Sequence, residues 1–307
     1  MKKFFKNIIL FLIILLIVGE LVVRLTHAVS DIPQRTIDEY GIQKYKPNQK
    51  GYWKGGEHTW LINDYGWPGI APNSLDSLIS IIGDSYIENF MNPNECHQSE
   101  YLRKMLPDYN FMEFGRSGVS FIEALEISKQ MDTLNPKHHL IYVNDDDFYE
   151  SICEAKRMTD VTQLSLKDNK IKYGEMKGSS SKKVLYNWKL LYYFYNRFPI
   201  DYIKNNLTPK KVSPEEPSPN DNVPSNHIDA ITKLMIYVTD NYNINDKTLV
   251  FHPNSNSSII TIAKNAGFNT ILLDSSMDKT WTFDYDSHWT CYGHNKAAEQ
   301  ISQQLSF

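Results

Sequence analysis

A serine and a histidine, far apart in this chain, carry the side chains that nucleophilic chemistry needs. Ser85 follows Gly83 and Asp84 where an apolar run, Leu78 to Ile82, stops. A serine hydroxyl is a weak nucleophile and needs an adjacent base. His288 suits that role, because an imidazole titrates near neutrality and can both take and return a proton. We therefore expect the fold to bring these two side chains into contact.

Alternating strands and helices with short connections predict a parallel, doubly wound sheet that would position them. The predicted strands are Leu75 to Ile82, Tyr109 to Phe114, His139 to Val143, Thr248 to Phe251 and Thr270 to Leu273. The predicted helices are Glu95 to Leu106, Phe121 to Met131, Ile228 to Tyr242, Ser258 to Ala266 and Gly293 to Leu305. Ser85, Gly118 and Asn144 each follow one of these strands, so they should share the carboxyl edge of the sheet, where ligands bind. His288 would join them from a loop before the last helix.

This order of motifs resembles the SGNH, or GDSL-type, hydrolase superfamily. The resemblance covers roughly 75–148 and 281–305. Its four blocks are Gly83-Asp84-Ser85, Glu113 to Gly118, Val143-Asn144-Asp145 and Asp286-Ser287-His288-Trp289. It implies a three-layer α/β/α, flavodoxin-like fold with Ser85 as nucleophile and His288 as base. The backbone N–H groups of Ser85 and Gly118, with the side-chain amide of Asn144, would then face the oxyanion.

The sequence departs from the family at two positions. The family often has Asn where Glu113 stands, and it commonly places the acid three residues before the histidine, where this chain has Tyr285. Asp286 is the first choice for the acid, because Asp-x-His-Trp resembles a variant among exported members. Asp284 is the alternative, since such groups are recognised by geometry and not by spacing.

The resemblance implies an esterase or acyl hydrolase that acts on O-acyl esters through an acyl-enzyme, without a metal or an organic cofactor. Glycans of the cell envelope would be its substrates, if the chain is exported. Transfer of the acyl group to a glycan is a close variant, because a sugar hydroxyl can capture the same acyl-enzyme. A non-catalytic protein that binds or assembles glycans on the same fold is the alternative from another class.

The histidines outside these blocks and the acidic run at 144–147 do not predict a metal site. His138, His139 and His252 have no partners at zinc spacing. The acidic run Asn144 to Asp147 lacks the spacing of an EF-hand, so a helix cap is its simpler interpretation.

The N-terminus predicts export. Lys2, Lys3 and Lys6 precede an apolar segment that runs to Val23, and such lysines keep their end in the cytoplasm. A retained signal anchor is the first interpretation, and a signal peptide cleaved after Ala28 is the alternative. Either one places the rest of the chain on the periplasmic or extracellular side. The predicted organisation is an anchor at 1–28, a stalk and extended segment at 29–74, and the hydrolase-like domain at 75–307.

An insertion at about 150–225 interrupts the alternation of strands and helices. It contains one helix candidate, Val184 to Phe198, whose aromatic residues would either line a substrate groove or pack the insertion itself. These residues are Tyr186, Trp188, Tyr192, Tyr193 and Tyr195.

Composition excludes one class of partner. The net charge is −4 and the chain has no basic block, which argues against nucleic-acid binding. The three cysteines, Cys96, Cys153 and Cys291, permit at most one internal disulfide, and the sequence does not say which. The acyl group and the oligomeric state also stay open.

Overall fold

The structure, a computed structural model, describes residues 1–176, 180–198 and 225–305. Its helices are α1 (Lys2–Leu25), α2 (Ser85–Glu88), α3 (Gln98–Met105), α4 (Phe121–Met131), α5 (Asp145–Glu150), α6 (Ser180–Asn187), α7 (Lys189–Arg197), α8 (Ser225–Asn241), α9 (Ser257–Asn265) and α10 (Cys291–Gln304). The first strands are β1 (Arg35–Ile37), β2 (Gln43–Tyr45), β3 (Gln49–Trp53), β4 (His58–Ile62), β5 (Leu78–Gly83), β6 (Asn110–Gly115) and β7 (His138–Val143). The later ones are β8 (Gln163–Ser165), β9 (Lys170–Lys172), β10 (Lys247–Phe251), β11 (Asn269–Leu272), β12 (Thr282–Phe283) and β13 (Asp286–Trp289).

The central sheet has five parallel strands in the order β6, β5, β7, β10, β11. Numbered along the chain, this is the flavodoxin-like order 2-1-3-4-5. The order reverses between β5 and β7, and open α/β sheets bind their ligands at such a switch point. The predicted fold class is confirmed.

Helices cover both faces of the sheet, which is why its strands are apolar throughout. Every residue of β5 is buried. Alternate residues point to opposite layers: Ile82 packs in a core with Leu125 of α4 and Leu234 of α8, while Ile81 packs in a second core with Leu102 of α3. A parallel sheet buried on both faces shows such continuous hydrophobic strands in place of alternating ones.

Two glycines let the chain turn sharply at the carboxyl edge. Gly83 and Gly115 lie opposite each other at the ends of β5 and β6. A Cβ on Gly115 would lie 2.6 Å from the backbone nitrogen of Glu88, and one on Gly83 would lie 2.6 Å from Cγ1 of Ile87. No such contact is tolerable, so both glycines are needed for α2 to cross the strand ends and to hold Ser85 there.

The chain divides into two compact units. One contains residues 1–32, 51–58 and the described part of 178–218, and the other contains 33–50, 59–177 and the described part of 219–307. The central sheet lies in the second unit. The domain boundaries predicted at residues 28 and 74 remain predictions, and the predicted insertion at 150–225 falls partly outside the described residues.

The first unit contains the apolar N-terminal helix. α1 has 24 residues and a mean hydropathy of 2.9 over its most apolar stretch, so it is long and apolar enough to cross a membrane. Its length is about 36 Å at 1.5 Å per residue, which exceeds the roughly 30 Å hydrocarbon core of a bilayer. A signal sequence would meet the same criterion, so anchor and cleaved leader both fit this helix.

Candidate active site

Ser85 is the first residue of the short helix α2. The side chain of Asp84 caps this helix by accepting a hydrogen bond from the N–H of Tyr86 at 3.0 Å. The helix ends after one turn at Asn89, which has the left-handed φ of 50°. In this position the Ser85 hydroxyl lies 2.8 Å from Nε2 of His288, across 203 residues of sequence. That distance is a hydrogen bond between a hydroxyl and an imidazole nitrogen, the two groups that nucleophilic chemistry at a serine needs.

His288 lies on β13, the second strand of a small hairpin. Its Nδ1 contacts the Asp286 carboxylate, and its backbone N–H donates to the same oxygen, Asp286 Oδ1, at 2.9 Å. These two bonds lower the pKa of Asp286 below its ordinary value, so its carboxylate is ionised at neutral pH. Asp284 lies exposed in the turn between β12 and β13. Asp286 is therefore the acid that contacts the histidine.

The aromatic ring of Tyr86 fixes the plane of the imidazole. It stacks on His288 with the ring centroids 4.7 Å apart and the planes at 27°. Its hydroxyl donates to the carbonyl oxygen of Ser287 at 3.1 Å, which ties the ring to β13. Tyr86 thus contacts the segment that carries His288, although it follows Ser85 directly in sequence.

A second histidine lies behind Tyr86. The ring of His252 is 4.3 Å from that of Tyr86 and 4.7 Å from that of Trp289. It follows β10, and its Nε2 is buried without a hydrogen-bond partner among the described residues. Burial, and to a smaller extent the charge of His288, lowers the pKa of His252 to about 3, so this imidazole is neutral.

Covalent and hydrogen bonds connect the segment after Ser85 to the segment that carries His288. A disulfide joins Cys96 to Cys291, the first residue of α10. Asn92 donates to the carbonyl oxygen of Trp289 at 2.8 Å. Gln98 donates to that of His294 at 2.8 Å. These links hold His288 near Ser85 through a short stretch of chain on each side. The sequence alone did not identify the disulfide pair.

The loop after β6 places Gly118 at the same edge. The N–H of Val119 donates to the carbonyl oxygen of Arg116 at 3.1 Å, and Gly118 occupies the turn between them with a φ of 79°. The N–H of Ser117 donates to the Glu88 carboxylate of α2 at 2.7 Å. The turn is therefore tied to the helix that begins with Ser85, and its φ favours glycine.

Asn144 caps α5 and reaches Asp84, the residue before Ser85. Its Oδ1 accepts from the N–H groups of Asp146 and Asp147 at 2.8 and 3.2 Å. Its Nδ2 donates to Asp84 Oδ2 at 3.1 Å. An amide nitrogen carries two hydrogens, so this bond leaves one for another acceptor. Asn144 follows β7, so it lies across the switch point from Ser85.

Two buried carboxylates lie beneath these groups. Burial raises the pKa of Asp84 to about 6, although the N–H of Tyr86 acts against the shift. Burial also raises the pKa of Asp147 well above its ordinary value, and the neighbouring charge of Asp84 adds to the rise. Asp84 thus binds both the N-terminus of α2 and the side chain of Asn144. Its burial costs free energy, because the carboxylate loses its contact with water.

The opposite edge of the sheet carries another Ser-His-Asp arrangement. His139 is 2.6 Å from the hydroxyl of Ser80 and 3.0 Å from Asp132 Oδ1. Ser80 is fully buried within β5, so this hydroxyl is closed to a substrate. Ligand atoms of Asp132, His139 and Asp246 lie within 4.8 Å of one another, as a metal site would need. Lys247 already binds Asp246 at 2.7 Å, so a cation there would face an ammonium group.

No family model matches the chain, and neither does any curated protein. Among solved structures, a member of the lipolytic protein G-D-S-L family from Veillonella parvula is 10% identical, with 74% of this chain and 97% of that chain covered and a TM-score of 0.35. The structure of TesA is 9% identical, with 74% and 98% covered and a TM-score of 0.35. Identities this low transfer no residue roles.

Proposed function

We propose that this protein is a serine ester hydrolase with Ser85 as its nucleophile. The observation that carries the proposal is the 2.8 Å distance between His288 Nε2 and Ser85 Oγ. Asp286 contacts Nδ1 of the same ring, which favours the tautomer with its proton on Nδ1 and a free lone pair on Nε2. A base in that tautomer is ready to take the hydroxyl proton.

The reaction follows from these positions. Ser85 Oγ attacks the ester carbonyl as its proton passes to His288 Nε2. The tetrahedral intermediate then expels the alcohol, which takes that proton and leaves an acyl group on Ser85. Water attacks the acyl-enzyme with His288 again as base, and the carboxylic acid is released. Throughout, Asp286 stabilises the imidazolium by its charge.

We assign the oxyanion to the N–H groups of Ser85 and Gly118 and to the second amide hydrogen of Asn144. The supporting observation is that Ser85, Gly118 and Asn144 each follow a strand at the same edge of the sheet. The strand ends are in register at this edge, where Gly83 lies opposite Gly115 and Phe251 of β10 lies opposite Val143 of β7. In other enzymes, loss of one such donor costs about 10²–10³ in rate.

For the substrate, we propose O-acyl esters of cell-envelope glycans. The apolar helix α1 supports this choice, because it would hold the chain at a membrane. Transfer of the acyl group to a sugar hydroxyl differs from hydrolysis only in which nucleophile captures the acyl-enzyme. Product analysis with an acylated glycan and an acceptor sugar would distinguish free acid from acylated acceptor.

The decisive experiment is active-site labelling of the full chain in detergent. A fluorophosphonate probe should label the wild type and fail to label Ser85→Ala, and p-nitrophenyl acetate hydrolysis should fall in parallel. Ser80→Ala is the matched control, since Ser80 also contacts a histidine but is buried at the opposite edge. Absence of labelling in a folded wild type would favour the non-catalytic, glycan-binding alternative.

A further inference from the structure

The aromatic helices α6 and α7 are attached to the C-terminal end of α1 by two charged residues near that end, Glu20 and Arg24. Glu20 accepts hydrogen bonds from the first two N–H groups of α7, from Lys189 at 3.1 Å and from Leu190 at 2.7 Å. Arg24 donates to the carbonyl oxygen of Asn187, the last residue of α6, at 2.5 Å. One acidic and one basic side chain therefore cap the two helix ends that meet at this junction.

The same junction is closely packed. Arg24 and Glu20 also bind each other, at 2.6 Å, so neither charge faces an apolar environment unpaired. A Cβ on Gly19 would lie 3.0 Å from Cδ2 of Leu190, which shows that α7 approaches α1 closely at a residue without a side chain. Lys189 binds Asp31 at 2.6 Å, just beyond the end of α1.

On the other side of α7, an apolar stripe faces outward. Leu191, Phe194, Tyr195 and Phe198 recur at intervals of three and four residues, the spacing of one helix face, and their exposure ranges from 39% to 61%. Trp188, between the two helices, and Val184 on α6 are 39% and 55% exposed. Trp, Tyr and Phe at such positions are typical of helices that lie in a membrane interface.

We propose that α6 and α7 lie on the membrane surface, with this stripe in the interfacial layer of the bilayer that α1 spans. We choose the membrane as the partner of this stripe because α6 and α7 are fixed to α1 within two turns of its end. At that end, an apolar helix that spans a bilayer must reach the lipid headgroups. Charged side chains near that end are tolerated at the interface, and here they bind α6 and α7. The proposal rests on α1 as a membrane helix and is independent of the ester chemistry proposed above.

The same contacts require that α1 be retained. Cleavage after Ala28 would remove both Glu20 and Arg24, and with them the bonds to Asn187, Lys189 and Leu190. The proposal therefore selects the signal anchor over the cleaved leader. The intact mass of the protein extracted from membranes should include the residues of α1, and a mature chain that starts at Val29 would overturn the proposal.

The surface contact itself can be tested with spin labels in lipid nanodiscs. We would place a nitroxide at Leu191→Cys on the stripe and, as a matched control, at Asn196→Cys, an exposed position off the stripe on the same helix. Both variants carry Cys153→Ser, which removes the free cysteine. We expect the ratio of oxygen to nickel-chelate accessibility to be several-fold higher at residue 191 than at residue 196.

Equal ratios at the two positions would overturn the proposal. Dipolar broadening at residue 191 would do so too, since it would show that a second copy covers the stripe. Glu20→Gln with Arg24→Gln should lower the ratio at 191 toward that at 196, because the caps are lost. A second measurement avoids the spin label, in case the label disturbs the helix. Lipids brominated near the headgroup should quench the tryptophan fluorescence of the wild type more than that of Trp188→Phe.

Discussion

Asp286 and His288 are bound to each other twice, although a single residue separates them. The carboxylate accepts the His288 backbone N–H at 2.9 Å and also contacts Nδ1 of the ring. The backbone bond is a local turn that an aspartate forms with the residue two positions on. The acid therefore orients both the peptide and the imidazole, and a spacing of two suffices where a longer spacing is the commoner pattern.

We expect Asp286→Asn to lower kcat by about 10³–10⁴, the loss that follows when an amide favours the wrong imidazole tautomer. Asp284→Asn is the matched control and should stay within a few-fold of wild type, because Asp284 lies exposed in the hairpin turn. Steady-state kinetics with p-nitrophenyl acetate measure both. The reverse result would assign the acid to Asp284.

Local patterns in the sequence predicted the elements that position the site. Phe121 to Met131 was predicted as a helix and is α4, since its start is marked by Ser120, which caps the N–H of Glu123. The ends of β5, β6, β7 and β10 were predicted to within a few residues, because each of these strands stops at a glycine or just before a polar residue. The edge shared by Ser85, Gly118 and Asn144 follows from parallel strand order alone.

Features that depend on distant contacts were missed. Val184 to Phe198 was predicted as one helix, but it breaks at Trp188, because Glu20 and Arg24 cap helix ends there from 163 or more residues away. Tyr86 directly follows Ser85, yet its stacking on His288 needs the completed fold. The aromatic residues of the insertion were expected to line a groove or to pack. Tyr186 and Tyr192 do pack together, with centroids 5.7 Å apart.

Tyr86 should act by positioning the base. Tyr86→Phe keeps the ring on His288 and loses only the bond to the Ser287 carbonyl, so we expect a change in kcat of a few-fold. Tyr86→Ala frees the imidazole and should lower kcat by about tenfold or more, since a misplaced catalytic group loses its oriented geometry. KM should change little in both. This role would be contradicted if Tyr86→Phe and Tyr86→Ala lowered KM and kcat to the same extent as each other.

The disulfide between Cys96 and Cys291 should stabilise the fold strongly, because it closes a loop with a sequence separation of 195. We expect Cys96→Ser with Cys291→Ser to reduce the free energy of unfolding by about 2–5 kcal/mol. Urea denaturation followed by tryptophan fluorescence would measure the loss. Cys153→Ser is the control and should unfold like the wild type, as Cys153 is the free cysteine.

His252 should make the protein sensitive to acid. Its folded pKa of about 3 lies below the ordinary value of 6.5, so the unfolded chain binds a proton first as the pH falls. The buried neutral ring therefore does not lower the free energy of unfolding above pH 6.5. Below pH 6.5 the free energy of unfolding falls, by about 2 kcal/mol at pH 5. His252→Phe keeps a ring against Tyr86 and Trp289 and should flatten the fall in melting temperature between pH 7 and pH 5. An unchanged slope would argue against a buried neutral imidazole.

Asp84 should have the opposite dependence on pH. Because burial raises its folded pKa to about 6 from 3.8, the folded chain holds a proton that the unfolded chain has lost. The associated stability is complete below pH 3.8 and disappears as the pH rises through about 6. Asp84→Asn cannot titrate, so its stability relative to wild type should rise between pH 4.5 and 7.5, by on the order of 2 kcal/mol. The test is the change of this stability difference with pH and not its absolute size, since the substitution also alters the hydrogen bond from Asn144 to residue 84. Asp284→Asn is the control and should show no such trend. If the curves of stability against pH for Asp84→Asn and wild type ran parallel, Asp84 would not be desolvated beside Ser85.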